Sequence, residues 1–353
     1  MEPDVELLKG LLERYSPTGQ EQEAAGFLVE GMRRRGLRAH VDAAGNAVGE
    51  AGDSSAPVRI ALVGHIDTVA GNLPVKFDGY RIHGRGAVDA KGPLCALVSA
   101  ASLFVDSKDV RLTVAGAVAE EGDSHGALAL ASGPAPQFLV IGEPSGWDGV
   151  VIGYRGSMQL RVFSRSEKAH GSRAVPTPSE KVVGLWGSIE ALSAPFKKES
   201  VFSSLDARLA EIRSEDDGLE ESCRALFRFR TPPGFDSGLF IADMERAARG
   251  FSPSWTENVP AVLASLPNPL VGAFNASIRE AGARPRHLKR SGTSDMNLLG
   301  PAWKCPAVAY GPGDSSLDHT PREVLDIGEL RRAVSVLKGT VERLAATGAG
   351  LGR

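Results

Sequence analysis

Leucine and valine recur at helical spacing over residues 5–15, and after the polar break SPTGQE an apolar stripe resumes at Phe27, Leu28 and Met32. The pattern predicts two helices. Thr18, with Glu21 three residues on, predicts a capping box opening the second, and Gly36 its end. Strands are expected at 40–48 and 58–63 on either side of the turn-rich GEAGDSSAP. The run 59–69, RIALVGHIDTV, is apolar up to a histidine with an aspartate two residues beyond, so His65 and Asp67 should lie where a buried strand leaves its sheet. VKFDGYRIHGRG reads as a short hairpin, and small and apolar residues over 93–104 as a buried helix whose N-terminus meets Asp89.

Further strands are expected at 111–118, ending in Glu120 and Glu121, and at 138–141, ending in Glu143. Near Gly153 the pattern changes to the alternation of a half-exposed antiparallel strand, GYRGSMQLRVFS, and a second domain begins. It contains CRALFRFRTPP and a helix at 238–249. The amphipathic NPLVGAFNASIREAG, a strand at 307–310 and a helix at 328–345 return to the first domain. The expected division is 1–152 with 261–353, and 153–260 between them.

Length and composition agree with this division and narrow the function. A chain of 353 residues exceeds one average domain, and 42% hydrophobic with 24% charged residues is ordinary for a soluble protein. The net charge of -3 gives no pull toward nucleic acid, and no apolar segment has the length of a membrane span. The start MEPDVELLKG is acidic where a signal peptide would be basic, so a cytoplasmic protein is expected. Cys95, Cys223 and Cys305 form no CxxC pair and read as core fillers.

The residues with candidate chemistry are His65, Asp89, Glu121, Glu143 and, in GDSSLDHTP, His319. Two histidines with three carboxylates suit zinc, cobalt or manganese better than calcium or magnesium. They are too many for one tetrahedral catalytic zinc, and suit two metals sharing a bridging carboxylate. Such a pair, ~3.5–4 Å apart, activates water and clamps a carbonyl, which is equipment for amide hydrolysis. Singly each residue has a plain alternative: a locally bonded histidine, a helix cap at Asp89, a solvated pair at Glu120 and Glu121, or ordinary loop residues at Glu143 and His319.

The segments GHIDTV, GRGAVDAKG, VAEEGDSHGA, IGEPS and LDHTP, in that order, resemble the aminoacylase, carboxypeptidase and desuccinylase superfamily of dinuclear zinc hydrolases. The resemblance implies an α/β fold: a zinc-peptidase-like catalytic domain with a mixed central sheet flanked by helices, and an inserted α+β lid that dimerises in many members. It implies His65 and Glu143 as ligands of one metal, Glu121 and His319 of the other, and Asp89 as the bridge. Asp67 would hold His65 in its metal-binding tautomer, and Glu120 would be the general base. His170, in KAHGS, matches the lid histidine that steadies the oxyanion, with a loop histidine of no role as the alternative. Arg155 in GYRGS, with a surface strand residue as the alternative, and the RSGTSD run from Arg290 to Asp295, with Gly292, Thr293 and Ser294, resemble contacts to the end of the substrate.

Within the superfamily, YSPTGQE, SGTSDMN and YGPGDSSLDHTP look most like hydrolases that release lysine or ornithine from an amino-group carrier protein in lysine and arginine biosynthesis. The resemblance implies two divalent ions, zinc with cobalt as substitute, an acidic carrier as partner, and a homodimer formed through the lid. The basic run Arg284, Arg286, Lys289 and Arg290 is a candidate carrier-docking patch or a solvated face. The same ligands would serve a deacetylase of acetylornithine or acetyl-lysine, or a desuccinylase of succinyl-diaminopimelate. A dipeptidase or carboxypeptidase is the next alternative, and a non-catalytic binding protein the last.

Overall fold

The computed structural model describes residues 2–170 and 175–348. Its internal contacts divide it into two compact units. The first is Met1–Gly153 with Ala264–Lys289 and Ser294–Arg353, and the second Tyr154–Leu263 with Arg290–Thr293.

The first unit is built on a mixed sheet in the spatial order Arg38–Val41, Ala47–Ala51, Val110–Ala117, Val58–His65, Phe138–Gly142, Ala307–Ala309 and Gly149–Tyr154. Val58–His65 runs parallel to both Val110–Ala117 and Phe138–Gly142, and Ala307–Ala309 runs parallel to Phe138–Gly142. Central parallel strands are covered on both faces and therefore read as apolar runs. Val58–His65 has one exposed residue, Arg59. Because these strands point the same way, the residues following them gather at one edge, where ligands collect in open α/β sheets.

The helix Lys91–Ser102 is buried along almost its whole length, and small residues in the sheet let it approach. Gly64 lies opposite Gly116 on one side and Gly142 on the other. A Cβ at Gly64 would stand 3.2 Å from the Leu94 Cβ, and one at Gly142 would stand 2.8 Å from the Leu97 Cδ1. This row of glycines sets how close the helix, and Asp89 just before it, comes to the strand ends. Each buried leucine or valine of the surrounding core stabilises the arrangement by roughly 1.5–3 kcal/mol.

Two local expectations are corrected. The strand predicted at 40–48 is broken by a turn, because the Asp42 Oδ1 accepts from the Ala44 and Asn46 amides at 2.9 Å each. A short polar side chain offers the backbone a partner that competes with the ladder. The second helix is Gln22–Arg34, with Glu21 at its N-cap and no capping side chain. Thr18 instead donates its hydroxyl to the Asp67 Oδ2 at 2.8 Å, and Glu21 accepts from the Gly19 amide.

The second unit is an antiparallel sheet in the order Asp206–Asp216, Glu220–Thr231, Gly156–Glu167 and Ser252–Val259. Helices Pro178–Ser193 and Ser237–Ala247 supply its core, in which Val182, Leu185, Phe240 and Met244 join Phe227 and Phe229. A full capping box at Thr177 and Glu180 opens the first of these helices and stabilises it by ~1 kcal/mol. Arg290–Thr293, which follows the long helix Pro269–Glu280, groups with this unit.

Candidate active site

His65 is the last residue of Val58–His65, and its side chain is 2% exposed. Its Nδ1 lies 3.0 Å from the Asp67 carbonyl oxygen and 3.5 Å from the Asp67 Oδ1. A carbonyl oxygen only accepts, so Nδ1 carries a proton and Nε2 is the atom turned to the cluster. There it lies 3.0 Å from the Asp89 Oδ1. The other oxygen of the same carboxylate, Asp89 Oδ2, lies 3.0 Å from the His319 Nε2, which is also 2.7 Å from the Glu121 Oε1. Asp89 thus places one oxygen on each histidine.

Ligand-type atoms of His65, Asp89 and Glu143 fall within 4.8 Å of one another, as do those of Asp89, Glu121 and His319, and those of His65, Glu120 and Glu121. The first two groups share Asp89 and together contain every residue expected to hold metal. Nitrogen and carboxylate donors in this proportion fit a pair of divalent cations bridged by one carboxylate.

Electrostatics describe the same need. Burial pushes the carboxyls of Glu120 and Glu143 well above the usual range, and the negative charge of Asp89 adds to it in both. Burial also raises Glu121, and lifts Asp295 to about 7. Burial opposes ionisation of Asp89 too, but hydrogen bonds from His319 and His65 outweigh it and hold that carboxyl far below its ordinary value. Hydrogen bonding to Asp89 raises His319 to about 9. His65 is raised well above 6.5, since its bonds with Asp67 and Asp89 overcome burial. Carboxylates outnumber histidines here, and bound cations would relieve their mutual repulsion.

A family model described as peptidase family M20/M25/M40 matches residues 61–343. The chain belongs to this family. A Pyrococcus abyssi relative, provisionally named a LysW-lysine/LysW-ornithine hydrolase, is 41% identical over 342 residues, covering 96% of this chain and 94% of that one. The LysW-lysine hydrolase of Deinococcus radiodurans is 37% identical over 350 residues, 96% of each chain. Among solved structures, an M20 family metallo-carboxypeptidase of Sulfolobus solfataricus superimposes with a TM-score of 0.78 at 17% identity, covering 98% of this chain and 100% of that one. Membership makes the chain a metal-dependent amide hydrolase with an M20 fold.

In this M20 chain, the loop bearing the glutamate pair is held at several points. The Asp67 Oδ1 accepts from the Glu120 amide and its Oδ2 from the Glu121 amide, both at 3.1 Å. Asn46, fully buried, accepts at Oδ1 from the Val118 amide and donates from Nδ2 to the Gly126 carbonyl, both at 3.0 Å. Lys91 is also fully buried and donates to the Leu11 and Arg14 carbonyls at 3.0 and 2.8 Å; burial lowers its ammonium to about 7. The support given by Thr18 and Asn46 escaped the motif reading, whereas Asp295 closes the RSGTSD run. Asp295 is 2% exposed, its Oδ1 has no hydrogen-bond partner among the described residues, and its charge acts on Glu120 and Glu143.

The remaining candidates lie elsewhere in the chain. His170 is an exposed residue of the second unit. Arg155, in the same unit, is buried with its Nη2 donating to the Ser204 and Arg230 carbonyls and its Nη1 paired with Asp206, so its guanidinium is engaged within that unit. Arg290, Gly292 and Thr293 also belong to the second unit, whereas Ser294 is buried in the first. The Ser294 Oγ accepts from the Met296 amide at 3.2 Å. In the basic run, Arg286 is taken up by both oxygens of Asp148, at 2.5 and 3.0 Å.

Proposed function

We propose that this M20 hydrolase releases lysine or ornithine from an amino-group carrier protein. What carries the proposal is near full-length similarity to relatives whose names specify that substrate, together with the shared placement of Asp89 between two donor groups. His65 and Glu143 would hold one divalent ion and Glu121 and His319 the other, with Asp89 common to both. Zinc is the expected metal, and cobalt its substitute. Ions bound there would lower the pKa of a water and polarise the amide carbonyl.

The chain's own residues supply the proton path. Glu120, buried beside the cluster and outside the two groups that share Asp89, takes a proton from the attacking water and returns it to the α-nitrogen as the C–N bond breaks. Asp67 keeps Glu120 in place through its backbone amide and faces the protonated edge of His65. His170 is assigned to the oxyanion, where a donor is worth roughly 3–4 kcal/mol in the transition state. The second unit is assigned the part of lid and dimerisation domain, and Arg290, Gly292, Thr293 and Ser294 that of receiving the far end of the substrate. A cytoplasmic location goes with a substrate made and consumed in biosynthesis.

The test is a direct comparison of carrier-linked lysine, carrier-linked ornithine, acetyl-lysine and a panel of dipeptides at equal concentration with metal-loaded enzyme. Turnover of the carrier-linked forms at least ~10-fold above the others supports the proposal, and preference for acetyl-lysine or a dipeptide overturns it.

A further inference from the structure

Glu323 lies four residues beyond His319, at the entrance to the strand Val324–Asp326, and is 1% exposed. Among the described residues, four N–H groups donate to its carboxylate. The Oε1 is paired with the Arg85 Nη1, and the Oε2 receives the backbone amides of Gly86 at 2.9 Å, Val88 at 3.3 Å and Asp89 at 3.4 Å. Arg85 extends the tie by donating from Nη1 to the Thr320 carbonyl at 3.2 Å and from Nε to the Gly71 carbonyl at 2.9 Å. Beside it, Val324–Asp326 pairs antiparallel with Arg81–His83. One buried anion therefore joins the segment that ends in Asp89 to the segment that contains His319, whose side chains meet at 3.0 Å.

We propose that Glu323 is a positioning residue for the cation site: it fixes Asp89 relative to His319 by gathering the loop's amides and Arg85 on one carboxylate. The inference rests on the reading of Asp89 and His319 as ligands. A carboxylate offers about four acceptor positions and no donor, which matches this ring of N–H groups. The convergence of neighbouring amides on an anion is a nest, and Gly86, at φ +87°, supplies the left-handed residue that such a turn requires. Glutamine has the same shape, but its NH2 group would be turned against amide and guanidinium donors. Charge and acceptor capacity, rather than volume, are what the site uses.

The experiment is Co2+ titration of metal-free protein, followed by visible absorption, together with thermal unfolding, for wild type, Glu323→Gln, Glu323→Asp and Asp89→Asn. Glu323→Gln is expected to weaken Co2+ binding ~10–100-fold and to alter the absorption band, as loss of a group that orients a ligand does. Glu323→Asp, which keeps the charge but is shorter, should fall between Gln and wild type. Wild-type affinity and an unchanged band in folded Glu323→Gln overturn the proposal, even where its melting temperature drops, because that result describes packing alone. If Glu323→Gln does not fold, Glu323→Asp decides by the same criterion. Unchanged Co2+ binding in Asp89→Asn would defeat the ligand reading itself, separately from the role of Glu323.

Discussion

The segment ending at Asp89 and the segment carrying Glu120 and Glu121 both turn backbone amides toward a buried carboxylate, but they are secured by different chemistry. Glu323 holds the first through an ion pair with Arg85 and three amides. Asp67 holds the middle of the second, and the neutral amide of Asn46 closes its two ends. Removing one member of a buried ion pair strands the other charge, at a cost of about 3–5 kcal/mol. A severed neutral hydrogen bond costs about 1–3 kcal/mol for each group left unsatisfied. The carboxylate touching both histidines is thus mounted on a guanidinium–carboxylate pair, while the glutamates that would move a proton and bind one ion hang from the Asp67 carboxylate in a loop whose ends are closed by a neutral amide.

Four measurements would break or sharpen that contrast. Glu120→Gln should lower kcat by ~10^2–10^4-fold with metal content unchanged, because it removes the proton carrier and leaves both donor groups that share Asp89 intact. Loss of metal in this variant would instead make Glu120 a ligand. Asp67→Ala frees the amides of Glu120 and Glu121 and one neighbour of His65, so metal affinity should fall ~10–100-fold, as read by equilibrium dialysis.

The third measurement is pH dependence on the Asp89 side. His319 in the metal-free protein is raised to about 9 by its bond with Asp89, so at neutral pH a cation must displace its proton. Apparent metal affinity should therefore climb ~10-fold per pH unit for this proton from neutrality and level off as pH passes about 9. An affinity indifferent to pH across that interval would contradict the placement of His319 in the cluster. The smallest effect belongs to Asn46→Ala, which should cost about 1–3 kcal/mol in denaturant unfolding for each backbone group it orphans, with kcat reduced less than in Asp67→Ala. Equal losses of kcat in the two variants would erase the distinction between the ends and the middle of the glutamate loop.

The residues of this cluster differ in how openly the sequence displays them. His65, Glu121 and Glu143 announce themselves because each follows an apolar run, and parallel strands carry such residues to one edge. Asp89 stands out because a buried helix begins just after it. Thr18 was hidden by its own surroundings: with Glu21 three residues on it satisfies the local capping pattern, while its actual partner, Asp67, is 49 residues away. Asn46 falls inside the strand expected at 40–48, and its contact with Gly126 spans 80 residues. Glu323 and Arg85 are separated by 238 positions, and nothing near either one signals the other. The polar groups that support a site are visible only when distant segments are brought together, whereas the groups that present chemistry at strand ends follow the hydrophobic pattern. In the second unit, alternation made Gly156–Glu167 legible as a sheet strand, but it gave no hint that the guanidinium of Arg155 would be spent inside the unit.

Gly64, Gly116 and Gly142 lie side by side where the helix Lys91–Ser102 closes on the sheet. Their consequence is one of tolerances. The spacing between Asp89 and the strand ends is set by three absent methyl groups, so the cluster inherits its accuracy from positions that have no chemistry of their own. Restoring a single methyl at Gly64 would press on the Cβ of Leu94, in the first turn of the helix that begins beside Asp89. This chain could lose its activity through a residue that no inventory of reacting groups would contain.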